Sequence, residues 1–334
     1  MKTKVIGFLI GIMLITALGV IAQPYQLTST KKLPLKPTIV AHAVNVPIWN
    51  EGDQWTYQIN NVTILINQTD LKSFLYLTVD ELPLTVKDVR ETSYTLEVDT
   101  TVKGNTRIDT DLGNGPVNVS ITSNNLKLSG TILINKSTLN IEGFSFTLGG
   151  RFWVDFIQQQ AIPFSLPVIP VKVTMDLATD FSSPIGLLSF PLNTTMAWNS
   201  SASTLTVDGK VRSPWLYVIF LINAIAKLLG NELLPSEMAA LLPIIDIKEA
   251  LTTLGTGNVF QVPMIPYAFY CLNTELVNVP AGTYNAFNIS ILNGTARCYY
   301  APDAKNVVKL TGDLQKFIPS IANINMELTS AELS

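Results

Sequence analysis

Two cysteines, one histidine and a scatter of carboxylates are the first candidates for acid–base, nucleophilic or metal chemistry in this 334-residue chain. His42 stands in a Pro- and Lys-rich stretch with no second ligand in reach, so it reads as a solvated linker residue and not as a metal ligand. With a single His there is no Ser-His-Asp or Cys-His set and no HExxH pair, and GxSxG elbows and Gly-rich phosphate loops are also missing. Glu51 and Asp53 flank Gly52 and offer a carboxylate pair; just ahead of an aromatic strand, Glu-Gly-Asp is expected instead to be the turn that enters it. Asp109, Asp111 and Asp303 read as turn residues, and no loop supplies oxygen ligands at a calcium-binding spacing. A dyad assembled by the fold from distant carboxylates stays open. The expectation is a protein that is not an enzyme and carries neither metal nor cofactor.

Cys271 and Cys298 form an even pair and fall on strands expected to be neighbours, which in an exported chain predicts a disulfide. Closing a loop of about 28 residues would stabilise the fold by roughly 3 to 4 kcal/mol. Export itself is read from the N-terminus. Lys2 and Lys4 precede an apolar run over residues 5–21, the pattern of a secretion signal over residues 1–22. The run is close to the ~20 residues that span a bilayer, so an uncleaved anchor is the alternative. No lipid-accepting Cys follows it and no hydrophobic tail closes the sequence, which argues against a lipoprotein or a C-terminal anchor.

Asn-x-Ser/Thr sequons at Asn61, Asn67, Asn118, Asn135, Asn193, Asn199, Asn288 and Asn293 reinforce export and predict a glycoprotein of an archaeal or eukaryotic host. Charged residues make up 14% of the chain, well below the ~25% of an average soluble domain, so much of its polar surface comes from Ser, Thr, Asn and Gln. A net charge of -3 leaves no basic footprint for nucleic acid. Residues 23–47, rich in Pro, Ser, Thr and Lys, read as an extended linker, and residues 48–334 as a single domain.

That domain is predicted to be mainly β. Trp55, Tyr57 and Ile59 alternate with Thr56, Gln58 and Asn60, the period of a half-buried strand. Similar runs recur at residues 74–79, 94–102, 117–121, 126–134, 139–148, 152–157 and 168–177, separated by Asn-, Gly-, Pro- and Ser-rich turns. Residues 279–310 form an antiparallel meander, with hairpin signals at Ala281-Gly282-Thr283 and Asn293-Gly294. Between these β regions the pattern breaks. Ser213-Pro214 is a helix start and Gly230 a stop, and residues 215–229 are apolar on nearly every side. With a further piece at 235–242 and a third from Asp246 to Gly255, residues 213–257 are expected to be an all-helical insertion. The first helix, at ~22 Å, is short for a ~30 Å bilayer core. Its apolar surface must find cover against the sheet, in a membrane interface, or against another subunit.

Three stretches carry a family resemblance: the Pro-Ala-Gly-Thr turn leading to Tyr299-Tyr300-Ala301-Pro302-Asp303 and Val307-Val308-Lys309-Leu310; Trp49 to Tyr57; and Pro184 to Trp198. Together they resemble secreted bacterial and archaeal domains related to the LolA/LppX-like lipoprotein-carrier superfamily. The chain departs from that pattern at Met196-Ala197, where a Gly-Asp pair is usual, and in the hydrophobic insertion. The resemblance implies a curved antiparallel sheet, a half-barrel, with the helical insertion on or near its concave face. It further implies an apolar cavity for a lipid, lipidated partner or similar ligand, lined by Trp55, Tyr57, Phe152, Trp198, Trp215, Ile219, Phe220 and Ile222. The alternative expectation is a structural or adhesive envelope protein at the cell surface, in which the insertion docks against a partner and no ligand is bound.

Overall fold

The computed structural model describes residues 43–68, 71–111, 116–159, 168–199, 203–228, 244–246, 248–249, 259–262, 268–291, 294–313 and 321–334. The expected signal, most of the linker with His42, and Asn293 lie outside them, and for Asn67, Ile219, Phe220 and Ile222 only the backbone is described. Long strands come first: β1 (Gln54–Gln68), β2 (Leu71–Val89), β3 (Ser93–Asp111), β4 (Pro116–Asn135), β5 (Ile141–Gln159) and β6 (Ile169–Ile185). Short β7 (Ala197–Asn199) and β8 (Ser203–Arg212) lead into the helix α1 (Pro214–Leu228). After it come β9 (Ile244–Asp246), β10 (Val259–Val262), β11 (Ala268–Val279), β12 (Gly282–Ile291), β13 (Ala296–Ala301), β14 (Asn306–Gly312) and β15 (Ile321–Glu332).

All fifteen strands belong to one open sheet in the order β10-β8-β6-β5-β4-β3-β2-β1-β15-β14-β13-β12-β11-β7, with β9 beside β10 on β8. Every pairing is antiparallel. The mainly β expectation therefore holds. Alternation drives it: on β8, Ser203, Leu205, Val207 and Val211 are buried while Asp208, Lys210 and Arg212 face out.

The long strands absorb what the sequence presents as turns. Residues 117–121 and 126–134 belong to one strand, β4, and residues 152–157 join β5, because Ser123-Asn124-Asn125 is a bulge, with the β4–β5 register shifting between Thr122 and Leu126. Gly150 lies against this bulge; a Cβ there would sit 2.8 Å from Asn125 O and 2.7 Å from Leu126 Cδ2. The Ser123 hydroxyl donates to Arg151 O (2.8 Å), which ties the bulge to its neighbour.

Chain continuity then bends the sheet. β7 ends one side of the strand order and β8 lies near the other, yet only residues 200–202 separate Asn199 from Ser203. Four Cα steps reach at most ~14 Å, so the two ends of the sheet must come round toward each other. Three register shifts between β1 and β15 supply local twist for that curl.

The ends of β1 and β2 pack on the β13–β14 turn. Trp49 Nε1 donates to Lys305 O (3.0 Å), Trp55 Nε1 to Ala304 O (2.7 Å) and the Tyr57 hydroxyl to Val307 O (2.8 Å). The Trp49 ring lies 4.8 Å from Trp55 and 5.1 Å from Tyr94, and Val86, Leu96, Ile134, Ala286 and Leu328 complete this core. A second core gathers Leu192, Phe269, Cys271, Phe287, Ile289 and Tyr300, and a smaller one Val79, Val102 and Leu126.

Ahead of β1, Gly52 adopts φ +91°, as the tight turn read from Glu-Gly-Asp requires. Asp53 is fully buried there. Its carboxylate accepts from Asn50 N (2.9 Å), Ser334 N (2.7 Å) and the Ser334 hydroxyl (2.9 Å), with Lys305 Nζ at 3.7 Å. Burial alone would raise its pKa; the hydrogen bonds from Asn50 and Ser334 and the Lys305 charge outweigh that and hold it below the usual carboxylate value. The group joins residues at opposite ends of the described chain.

One part of the expected helical insertion is corrected: residues 244–246 are a strand, and with residues 259–262 just beyond the insertion they pair with β8, whose outer edge would otherwise be bare. Described helix is confined to α1 and residues 248–249, where Glu249 N donates to the expected cap Asp246 (3.1 Å). The pieces 235–242 and most of 247–254 lie outside the described residues.

A carboxylate with a depressed folded-state pKa contributes stability above its unfolded pKa of ~3.9, lost as pH falls through the lower folded value. Asp53→Asn is expected to lower unfolding free energy at pH 7 by about 2 kcal/mol, the scale of charge-assisted hydrogen bonds left without their anion. It should also flatten the acid limb below about pH 4. Urea unfolding at pH 7 and pH 3 checks both; equal stability of variant and wild type at pH 7 would remove Asp53 from this role.

Candidate functional site

Of the residues expected to line one cavity, those whose side chains are described fall in separate places. Trp55 and Tyr57 are fully enclosed in the first core with their polar atoms on backbone carbonyls; burial raises the Tyr57 pKa. Phe152 packs on the small cluster around Val102, and Trp198 stacks on Phe269 at 5.6 Å in the second core. Trp215 stands apart at the start of α1. The resemblance implied these side chains as a cavity lining, but an inward position serves packing as readily as a ligand. Around β1 and β11 the interior is occupied by the protein's own side chains.

Ser213 acts as the predicted N-cap, accepting from Trp215 N (3.3 Å), and its hydroxyl donates to Lys172 O (2.6 Å). Trp215 Nε1 donates to Pro170 O (3.0 Å). These carbonyls belong to β6 beyond the last residue of β8 that pairs with it, so the first turn of α1 covers a sheet edge that β8 has left. Leu216 is fully buried. Beyond that turn the helix points apolar side chains into solvent: Tyr217 is 51% exposed, Leu221 58%, Ile225 57% and Leu228 88%. At spacings of 4, 4 and 3 residues these share one stripe, with Val218 beside it. Of the three expected homes for the apolar surface of this helix, cover by the sheet is seen for Leu216 in its first turn, and the described stripe beyond it is uncovered.

The cysteines correct a second expectation. Cys271 on β11 pairs with Ile289 on β12, and Ile289 pairs with Cys298 on β13, so a whole strand lies between the two thiols. Two strand spacings amount to ~9.6 Å, beyond the ~7 Å at which Cα atoms can be bridged. Both thiols are free and fully buried in the second core, and burial pushes each up to about 12, which leaves them protonated and unreactive.

A polar ladder crosses the opposite face of the same strands: Asn273, Asn288, Tyr299, Lys309, Glu327 and Gln58 are successive cross-strand partners. Lys309 Nζ lies 2.7 Å from Glu327 Oε1, and Gln58 Nε2 donates to Glu327 Oε2 (3.3 Å). Asn288 is only 4% exposed; its Nδ2 donates to Glu275 (3.2 Å) and its Oδ1 accepts from Arg297 (2.9 Å). Burial and the neighbouring Glu275 carboxylate raise the Tyr299 pKa. These groups satisfy one another and leave no free nucleophile or base. Asn118 is also buried, whereas Asn199 is exposed and Asn61, Asn135 and Asn193 are partly so.

A shallow depression of about 520 Å³ lies on the outer face of β5, β6 and β8, where Thr147, Asp176, Lys210 and Asp246 form one cross-strand row. Asp176 is taken up by Arg212 and the Thr147 hydroxyl. Among the described residues no cluster of His, Cys, Asp or Glu is placed to hold a metal, and no helix is long and apolar enough to cross a membrane. No protein-family model matches the chain, and no curated protein or solved structure matches it significantly.

Thiol titration in denaturant is expected to return two free thiols per chain, and native titration none; an intact mass 2 Da below the reduced mass would contradict the strand order. In material secreted from a glycosylating host, glycopeptide mass spectrometry should find Asn199 modified and Asn288 bare, since a glycan on Asn288 Nδ2 would displace its bond to Glu275. Folded protein carrying sugar at Asn288 would overturn the buried ladder.

Proposed function

We propose that this is an exported cell-surface protein that binds lipid through the outward stripe of α1, the acyl region of a lipid surface being its apolar ligand. The observation that carries the reading is the exposure of Tyr217, Leu221, Ile225 and Leu228 in a single stripe. Burying four or five such side chains contributes roughly 1.5 to 3 kcal/mol each, a gross term large enough to hold a protein at an interface. A 15-residue helix lies in an interface more readily than it spans one. The secretion signal read at residues 1–22 would bring the domain to the membrane face where such a stripe finds cover.

In this reading the protein is a half-barrel relative of lipoprotein carriers in which the apolar contact has moved from the concave face to an external helix. Shielding, not bond chemistry, is its mode of action. The structural alternative, in which the same stripe docks on another envelope protein, has the same surface and a different occupant.

Co-sedimentation with phospholipid vesicles decides between them. Wild-type protein should pellet with vesicles, and a Leu221→Asp, Ile225→Asp double variant should lose at least tenfold in partition coefficient with an unchanged far-UV circular dichroism spectrum. A wild-type protein that ignores vesicles and forms a defined oligomer, dispersed by the same variant, would establish the structural reading instead.

A further inference from the structure

One row of the sheet leads from the long strands to α1. Thr63, Tyr76, Asn105, Thr122, Trp153 and Pro170 are successive cross-strand partners on β1 to β6, so their side chains share one face. Pro170 O in turn accepts the indole N–H of Trp215. Along this line Tyr76 is 47% exposed and Trp153 42%, while the buried alternates Thr106, Ile121 and Val154 lie on the opposite face. Trp and Tyr, each with an apolar body and a polar tip, favour the boundary between headgroups and acyl chains.

Beside Trp153 the row carries a charge arrangement that the fold does not explain. Arg151 and Lys172 are direct cross-strand partners, both exposed. The Arg151 guanidinium lies over the Trp153 ring at 5.8 Å. Like charges directly opposite destabilise a sheet, and among the described residues neither cation has an ion-pair partner. An anion placed between them would turn the repulsion into two charge-assisted contacts. A phosphodiester meets that need while its lipid tails meet the adjoining aromatic and apolar surface.

We propose that Arg151 and Lys172, with Trp153 at the headgroup boundary, form a recognition site for the phosphate of an anionic phospholipid at the lipid surface that α1 enters. This rests on the lipid-binding reading of α1 and adds the lipid class. Asp155, two residues from Trp153 on the same face, lies along β5 on the side of the ring away from the cations.

The test uses the folded chain and two vesicle compositions, phosphatidylcholine alone and phosphatidylcholine with 30% phosphatidylglycerol. Binding to the anionic vesicles should be about tenfold or more tighter, on the scale of two cations at an anionic surface, and should weaken with salt. The double variant Arg151→Gln, Lys172→Gln should lose that preference while still binding phosphatidylcholine, because α1 is untouched. Brominated lipids should quench wild-type fluorescence more than that of Trp153→Phe.

The outcomes separate the two claims. Absence of binding to either vesicle would defeat the α1 reading and this site with it. Binding that is blind to lipid charge, or a charge preference that the double variant keeps, would overturn the headgroup site alone. Saturable binding of inorganic phosphate abolished by the double variant, with vesicle binding blind to charge, would also overturn the lipid assignment.

Discussion

Three ring donors hold the sheet in its shape: Trp49 and Trp55 each give a hydrogen bond to the backbone of the turn that joins β13 to β14, and Tyr57 gives one to Val307 at the start of β14. A sheet of fifteen strands has no packing partner beyond itself unless it bends far enough for distant strands to meet. Strand β1 is central in the order, and its neighbour β15 delivers the C-terminal meander to one side of it. With their polar atoms taken by the turn, the rings bury completely without an unsatisfied donor. Asp53 fastens the same region from the other direction through Ser334 and Lys305. Hydrophobic burial drives the closure, and these few directional bonds fix its register.

The clamp fills the interior around β1 with the chain's own side chains. Trp55 and Tyr57, expected to line a cavity, are residues this chain uses to close the sheet on itself. The other constraint acts at the seam, where three residues link β7 to β8 and five link β10 to β11. Those short links bring the two sheet ends together, and β9 and β10 cover the outer edge of β8. The first turn of α1 continues that protection along β6. Edge protection and curvature together account for every short element after β6 except the remainder of α1.

Legibility followed from how local each signal was. Ser213-Pro214 marks a helix start through groups one or two residues away, and α1 begins there. The C-terminal meander was readable because Gly282, at φ +137°, and the Pro before it impose a turn by themselves. Asn124-Asn125 and Gly149-Gly150 are the contrary case: the same residue types make turns or bulges, and which occurs depends on whether the neighbouring strand runs on past them. The cysteines failed for a related reason. The sequence put both cysteines on strands read as neighbours, and only the register shows that Ile289 stands between them. For Trp55 and Tyr57 the sequence disclosed burial and was silent about what the buried ring would touch. Residues 244–246, three positions long in a helix-like context, carry too few side chains to show a period of two.

Within α1 the two demands on the sequence separate cleanly along the chain. Ser213, Trp215 and Leu216 are used by the fold, one as a cap, one as a donor to β6 and one as a buried contact. Tyr217, Leu221, Ile225 and Leu228 meet no such need. A chain with only 14% charged residues has Ser, Thr, Asn and Gln in plenty for solvent-facing helix positions, so shortage of polar residues does not account for four large apolar side chains in one stripe. Their exposure lowers solubility and adds nothing to the sheet. The stripe starts where the edge bonds end, so the fold presents it as a projecting surface held at one end by Ser213 and Trp215. The Trp215 bond to Pro170 O joins the start of this stripe to the strand row that carries Tyr76 and Trp153, and the proposed lipid contact would use both.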